Sequence, residues 1–142
     1  MTTSTPASTG RLSALLGSGD RLLRLALRAD ALVTGVNGLA YLALSGPLES
    51  LLGLDRGVAL GLGAFLLVYA VAVTVVGLPV RVNGAAVLAV IGANAAWAVG
   101  SVVVVLTGVL GLTAVGSVWA ILQALVVGGF AAAQYEGLRT AG

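Results

Sequence analysis

The sequence predicts an all-α polytopic membrane protein with four transmembrane helices and a candidate parallel duplication of a two-helix hairpin. Three observations carry that prediction. Hydrophobic residues make up 59% of the 142 positions and charged residues 8%, against about 25% charged in a soluble domain. Mean hydropathy is +1.12. The apolar runs are long and lack strict alternation, which suits membrane helices rather than barrel strands, including the β-prone run Val102–Val105.

Residues 1–20 read as a Thr/Ser-rich, then basic, disordered cytoplasmic tail. Residues 21–139 form the four-helix domain. The first helix spans about 21–45, with Asp20 as a candidate N-cap. Arg21, Arg24 and Arg28 flank its apolar part and snorkel toward the headgroups. Gly46-Pro47 ends it, and Leu48–Leu54 reads as a short interfacial turn. Ala43-Leu44-Ser45 has the small residues of a signal-peptide cleavage site. The same helix pattern returns later in the chain, which favours a retained membrane helix. The second helix covers about 57–77 and ends at Gly77-Leu78-Pro79. The third covers about 80–107, opened by Arg81. The fourth covers about 112–136, with Thr113 as its cap and Glu136 and Arg139 in a tail.

The arginines set the orientation. Arg11, Arg21, Arg24, Arg28, Arg81 and Arg139 fall on one side and only Arg56 on the other. By the positive-inside rule both termini face the cytoplasm. The Ala/Gly/Val/Leu/Arg bias without Lys points to a GC-rich bacterial genome, so the expected location is the plasma (inner) membrane.

An internal repeat accompanies this topology. Val33-Thr34-Gly35-Val36-Asn37 returns as Val90-Ile91-Gly92-Ala93-Asn94, followed on the next turn by Tyr41 and Trp97 respectively. Leu52-Gly53-Leu54 returns as Leu110-Gly111-Leu112, and Arg24 aligns with Arg81. Both units begin on the same side, so the repeat axis lies along the membrane normal. Asp30 aligns with Val87 and is unique to the first unit.

The candidate site follows from helical spacing. Asp30, Thr34, Asn37 and Tyr41 fall at i, i+4, i+7 and i+11, on one face of the first helix. A carboxylate beside a membrane helix is costly and usually has a task. Asp30 lies close to Arg28, which suggests headgroup depth and an ion pair with Arg81 from the same leaflet. Asn37 and Asn94 are placed to hydrogen-bond across the repeat axis, with Gln123 joining them and Trp97 beside Asn94. Gly92, Ala96 and Gly100 form a small-residue ridge for close helix packing, and Gly53, Gly57 and Gly61 form a second. Trp119 and Tyr135 mark opposite interfaces.

Composition also excludes chemistry. With no Cys, His or Lys, thiolate nucleophiles, Schiff bases and the usual metal and haem ligands are absent. No cofactor, metal site or enzymatic activity is expected. A net charge of +2 is too small to suggest nucleic acid. The expected partners are the lipid bilayer and either a second copy or another membrane protein.

Leu27-Arg28-Ala29-Asp30-Ala31, Gly46-Pro47-Leu48 with Leu52-Gly53-Leu54, and Asn94-Ala95-Ala96-Trp97 resemble a type of small four-helix integral membrane protein common in actinobacteria, mostly of unknown function. More loosely, the chain is similar to DoxX-like four-helix proteins. The resemblance implies the fold and no activity. Two roles fit the residues. One is a structural or accessory component acting through helix packing and partner contacts. The other is a small-molecule or proton-coupled transporter or ligand-binding bundle using Asp30 and the Asn37, Asn94 and Gln123 cluster.

The topology has a direct test. A reporter active only outside the cytoplasm gives signal when fused at Asp55 or Gly111, and none at the C-terminus. Signal at the C-terminus contradicts the arrangement with both ends inside.

Overall fold

A computed structural model describes residues 19–141, and within them every regular element is a helix. The expectations for residues 1–18 lie outside the described residues. Helix α1 spans Gly19–Ala43, α2 Ser45–Leu52, α3 Arg56–Val76, α4 Gly84–Thr107 and α5 Ala114–Ala141. The four predicted membrane helices are α1, α3, α4 and α5. Three of them, α3, α4 and α5, are long and apolar enough to cross a membrane. A fourth span results if α1 and α2, bent by 94° at Leu44, count as one broken span.

Local chemistry sets the ends. Pro47 in the first turn of α2 has no N–H for the carbonyl of Ala43, so α1 cannot continue through it and the chain turns. Asp55 caps α3 by accepting from the Val58 amide at 3.2 Å, a role its sequence position in a loop did not announce. Asn83 accepts from the Ala85 and Ala86 amides at 2.9 and 3.2 Å. That cap starts α4 at Gly84 rather than near residue 80, and leaves Arg81 exposed in the preceding loop. Thr113 caps α5 as expected, accepting from the Gly116 amide at 3.0 Å. Asp20 falls inside the first turn of α1 and pairs with Arg24 at 3.2 Å. Glu136 and Arg139 lie within the last turns of α5, paired at 2.6 Å, rather than in a tail.

In cross-section the helices run in the order α3, α1, α5, α4. Helix α1 packs along both α3 and α5, and α5 along α4, while α3 and α4 scarcely meet. A symmetric repeat would make the α3–α4 contact match the α1–α5 contact, and it does not. The duplicated loops do agree: Gly53 and Gly111 both sit in the left-handed region, at φ +73° and +64°.

Two apolar clusters close the bundle. One, around Leu23, Leu27, Val73, Val87 and Val90, fills the end where α1 begins. The other, around Tyr41, Leu52, Leu54, Ala59 and Leu66, lies at the α2 end. Arg24 ties the first end together by donating to the carbonyls of Gly77, at 3.0 Å, and Val80 in the α3–α4 loop. At the α2 end, Leu52 O accepts from the Thr113 amide at 2.9 Å, and Leu51 O from the Thr113 hydroxyl at 2.8 Å.

Of the expected small-residue ridges, Gly53 does make a close approach, an added Cβ lying 2.8 Å from the Thr113 nitrogen and 2.9 Å from the Gly111 oxygen, but Gly61, Gly92 and Gly100 do not. A Cβ added at Gly61, Gly92 or Gly100 meets nothing within 4 Å. Helices α1 and α3 instead cross at Gly38 and Gly63, where an added Cβ on either comes within 3.0 Å of the other's carbonyl oxygen. Gly116 packs directly on the backbone of Leu52, and a Cβ there overlaps the Leu52 carbonyl.

This contrast gives a prediction. Gly116→Ala must push backbone against backbone, and loses at least about 1–3 kcal/mol of stability. Gly92→Ala, with open space around it, gains about 0.5–1 kcal/mol from helix propensity. Unfolding midpoints in mixed detergent micelles measure both. Equal midpoints for the two variants would contradict the packing at Leu52.

Candidate functional site

Polar residues from all four long helices converge on Asp30, whose side chain is fully buried. One carboxylate oxygen, Oδ1, accepts from the hydroxyl of Thr34, one turn along α1, at 2.9 Å. The other, Oδ2, accepts from Asn94 Nδ2 of α4 at 2.7 Å and from Gln134 Nε2 of α5 at 2.8 Å. Asn94 uses its second amide proton on Gln134 Oε1 at 3.0 Å. Its own Oδ1 lies 3.0 Å from the Tyr69 hydroxyl of α3, which also lies 3.1 Å from the Val90 carbonyl. Every long helix therefore enters a single network, α1 with two side chains and α3, α4 and α5 with one each.

The donors run one way, toward Asp30. Turning either amide over would set its carbonyl oxygen against a carboxylate oxygen, so the network fixes both orientations. The carboxylate accepts three hydrogen bonds in an environment without solvent, which is what a buried polar group requires. Among the described residues the ion pairs are Asp20–Arg24 and Glu136–Arg139, and Asp30 is in neither.

Asp30 thus makes no ion pair with the exposed Arg81. It lies eleven residues into α1, and Asn94 ten residues into α4. At 1.5 Å per residue both are roughly 15 Å from their helix ends. The cation that serves the near end of the bundle is Arg24, through loop carbonyls. Asn37 and Asn94 do not bond each other either. Asn37 Nδ2 reaches Gln123 Oε1 at 3.4 Å, while Asn94 belongs to Asp30. Gln123 lies three helical turns before Gln134 on α5, and it is Gln134 that bonds Asn94.

Beyond this network, toward α2, the bundle opens. A cavity of about 550 Å³ lies between α3 and α4 and is backed by α1 and α5. It exists because α3 and α4 diverge, and because Ala96 and Gly100 on α4 present little side chain. Trp97 and Trp119 both line it. The rings of Phe65 and Trp97 stack across the α3–α4 gap at 6.1 Å between centroids and 2° between planes. Trp119 Nε1 donates to the Tyr41 hydroxyl at 3.0 Å, so this indole points into the bundle. A smaller space of about 50 Å³, lined in part by Thr34, Asn37, Tyr69 and Asn94, lies between the cavity and the Asp30 network. The two spaces share the walls Phe65, Ala93, Trp97 and Gln123.

Of the residues expected from sequence, Asp30, Thr34 and Asn94 come together. Tyr41, Trp97 and Gln123 border the cavity, Asn37 borders the smaller space, and Arg81 belongs to none of these. Tyr69 and Gln134 were missed. The signal for Gln134 was present: it lies eleven residues after Gln123, the same face-preserving interval that links Asp30 to Tyr41. No protein-family model, curated protein or solved structure matches the chain.

The network predicts different outcomes for two substitutions. In Asp30→Asn, the side-chain oxygen replaces Oδ2 and keeps both amide donors. The new NH2 replaces Oδ1, and Thr34 needs only to reverse its hydroxyl to accept from it. The expected loss is about 1 kcal/mol or less, the scale of a single hydrogen bond within a membrane. Asp30→Leu leaves the Asn94 and Gln134 amides each short of a partner, at about 1–3 kcal/mol apiece. Denaturation in mixed micelles reads both, and equal losses would contradict this arrangement.

Proposed function

We propose that this chain is a multi-pass protein of the bacterial plasma membrane, with both termini cytoplasmic, that binds a small, largely apolar molecule in the cavity between α3 and α4. The observation that carries this reading is the 550 Å³ cavity. Its size falls within the 300–1,000 Å³ of small-molecule sites, and its lining follows their pattern of apolar and aromatic walls with few polar groups. Space left between helices forfeits packing contacts, which a bound molecule would restore. The Asp30 network acts as the rigid base that lets the far half of the bundle stay open. The proposal includes no bond-making step, in keeping with a chain that lacks Cys, His and Lys. Transport of the bound molecule is the extension of this reading, and binding is its necessary first part.

Binding has a selective readout, because the chain's two tryptophans both line the cavity. The neutral dye N-phenyl-1-naphthylamine is expected to accept energy from Trp97 and Trp119 saturably in micelles of the wild-type protein. A double substitution Ala96→Leu and Gly100→Leu fills the cavity and removes that transfer while helicity persists. Transfer that never saturates, or that survives the filling, overturns the proposal.

A further inference from the structure

We infer that the molecule this cavity takes carries a neutral carbonyl oxygen, as a ketone or an ester does, and that this oxygen accepts the hydroxyl proton of Tyr41. The inference deepens the binding reading above and rests on it. Tyr41 lines the large cavity and is 6% exposed. Its hydroxyl oxygen accepts from Trp119 Nε1 at 3.0 Å. An indole N–H can only donate, so the direction of that bond is fixed and the Tyr41 proton must go elsewhere. No described residue accepts it. A buried donor left without an acceptor is costly, and folded proteins nearly always supply a partner.

The surroundings limit what that partner can be. Ser101 spends its own proton on the Trp97 carbonyl at 2.8 Å, and Gln123 is engaged with Asn37 at 3.4 Å. Leu52 and Leu54 cluster with Tyr41 and line the cavity beside it. A water molecule needs two to four polar partners, which walls of this kind supply poorly. A carboxylate would bring a charge, and the described lining holds no cation to meet it. An alcohol or an amine brings a proton of its own, which needs a further acceptor. A ketone or ester oxygen takes the Tyr41 proton and brings none, while its apolar body fills the space between α3 and α4.

Dicyclohexyl ketone and dicyclohexylmethane differ by one oxygen in place of two hydrogens, and they separate these cases. Each is titrated against bound N-phenyl-1-naphthylamine, with concentrations compared as mole fractions in the micelle. The ketone is expected to displace the dye from the wild-type protein at about fivefold or more below the hydrocarbon, the scale of satisfying one buried donor. The infrared carbonyl stretch of the bound ketone is expected below its position in protein-free micelles. Tyr41→Phe alone would free the Trp119 N–H to donate instead, so it is combined with Trp119→Phe, and Trp97 remains as the energy donor. In that double variant the two concentrations are expected to converge to within about twofold, whereas in Trp119→Phe alone the ketone keeps its advantage. Equal displacement by the two compounds in the wild type, or an unshifted stretch, would overturn the carbonyl assignment and leave the binding reading in place. An advantage that survives in the folded double variant, or that is lost in Trp119→Phe alone, would also overturn it. Failure of the dye itself to bind would instead remove the underlying reading. The wild-type displacement and spectrum decide the matter even where a variant does not fold.

Discussion

The network around Asp30 is the constraint on which the rest of the bundle depends. A buried carboxylate must be surrounded by donors, and no single helix can provide enough of them. Thr34 is the one donor its own helix supplies. The others come from α4 and α5, and Tyr69 of α3 completes the chain by holding Asn94. Apolar helices in lipid gain little from hydrophobic attraction to one another, since lipid tails are as apolar as leucine. Four polar attachments at one depth therefore fix a relative arrangement that side-chain packing alone leaves loosely defined.

Fixing one depth frees another. Helices α3 and α4 have scarcely any direct packing, and their link is a set of side chains: Tyr69 with Asn94 and Val90, and Phe65 with Trp97. Past that link they diverge around the cavity. The far end closes again because Leu51 and Leu52 dock on Thr113 and Gly116, joining α2 to the start of α5. The molecule thus has two tied ends with an open volume between them. Glycines that permit close approach, among them Gly38, Gly53, Gly63, Gly116 and Gly137, lie where elements are tied, whereas Gly100 lies where space is kept.

Much of this was legible in the sequence. Long apolar runs located the four long helices to within a few residues, three of them apolar enough to cross a membrane, and Gly46-Pro47 marked the bend before α2. The face Asp30, Thr34, Asn37, Tyr41 does point into the bundle. What sequence spacing could not provide was depth and partner choice. Proximity to Arg28 in the chain suggested a headgroup-level ion pair, yet Arg28 is exposed while Asp30 is enclosed, because residues two apart on a helix face different directions. The repeat suggested that Asn37 and Asn94 meet. Strong α1–α5 packing without an α3–α4 counterpart breaks that symmetry and hands Asn94 to Asp30. Gly92, Ala96 and Gly100 carried the spacing of a packing ridge, but small residues license either close approach or empty space. Only the positions of neighbouring helices decide which.

The central claim is that buried amides of Asn94 and Gln134 hold the Asp30 carboxylate. The chain has five side-chain amides, at Asn37, Asn83, Asn94, Gln123 and Gln134, which makes their NMR resonances readily assignable by substitution. Hydrogen exchange of these NH2 groups in deuterated micelles tests the claim most directly. The Asn94 and Gln134 protons are predicted to exchange far more slowly than those of exposed Asn83. Exchange of Asn94 and Gln134 as fast as that of Asn83 would contradict the account.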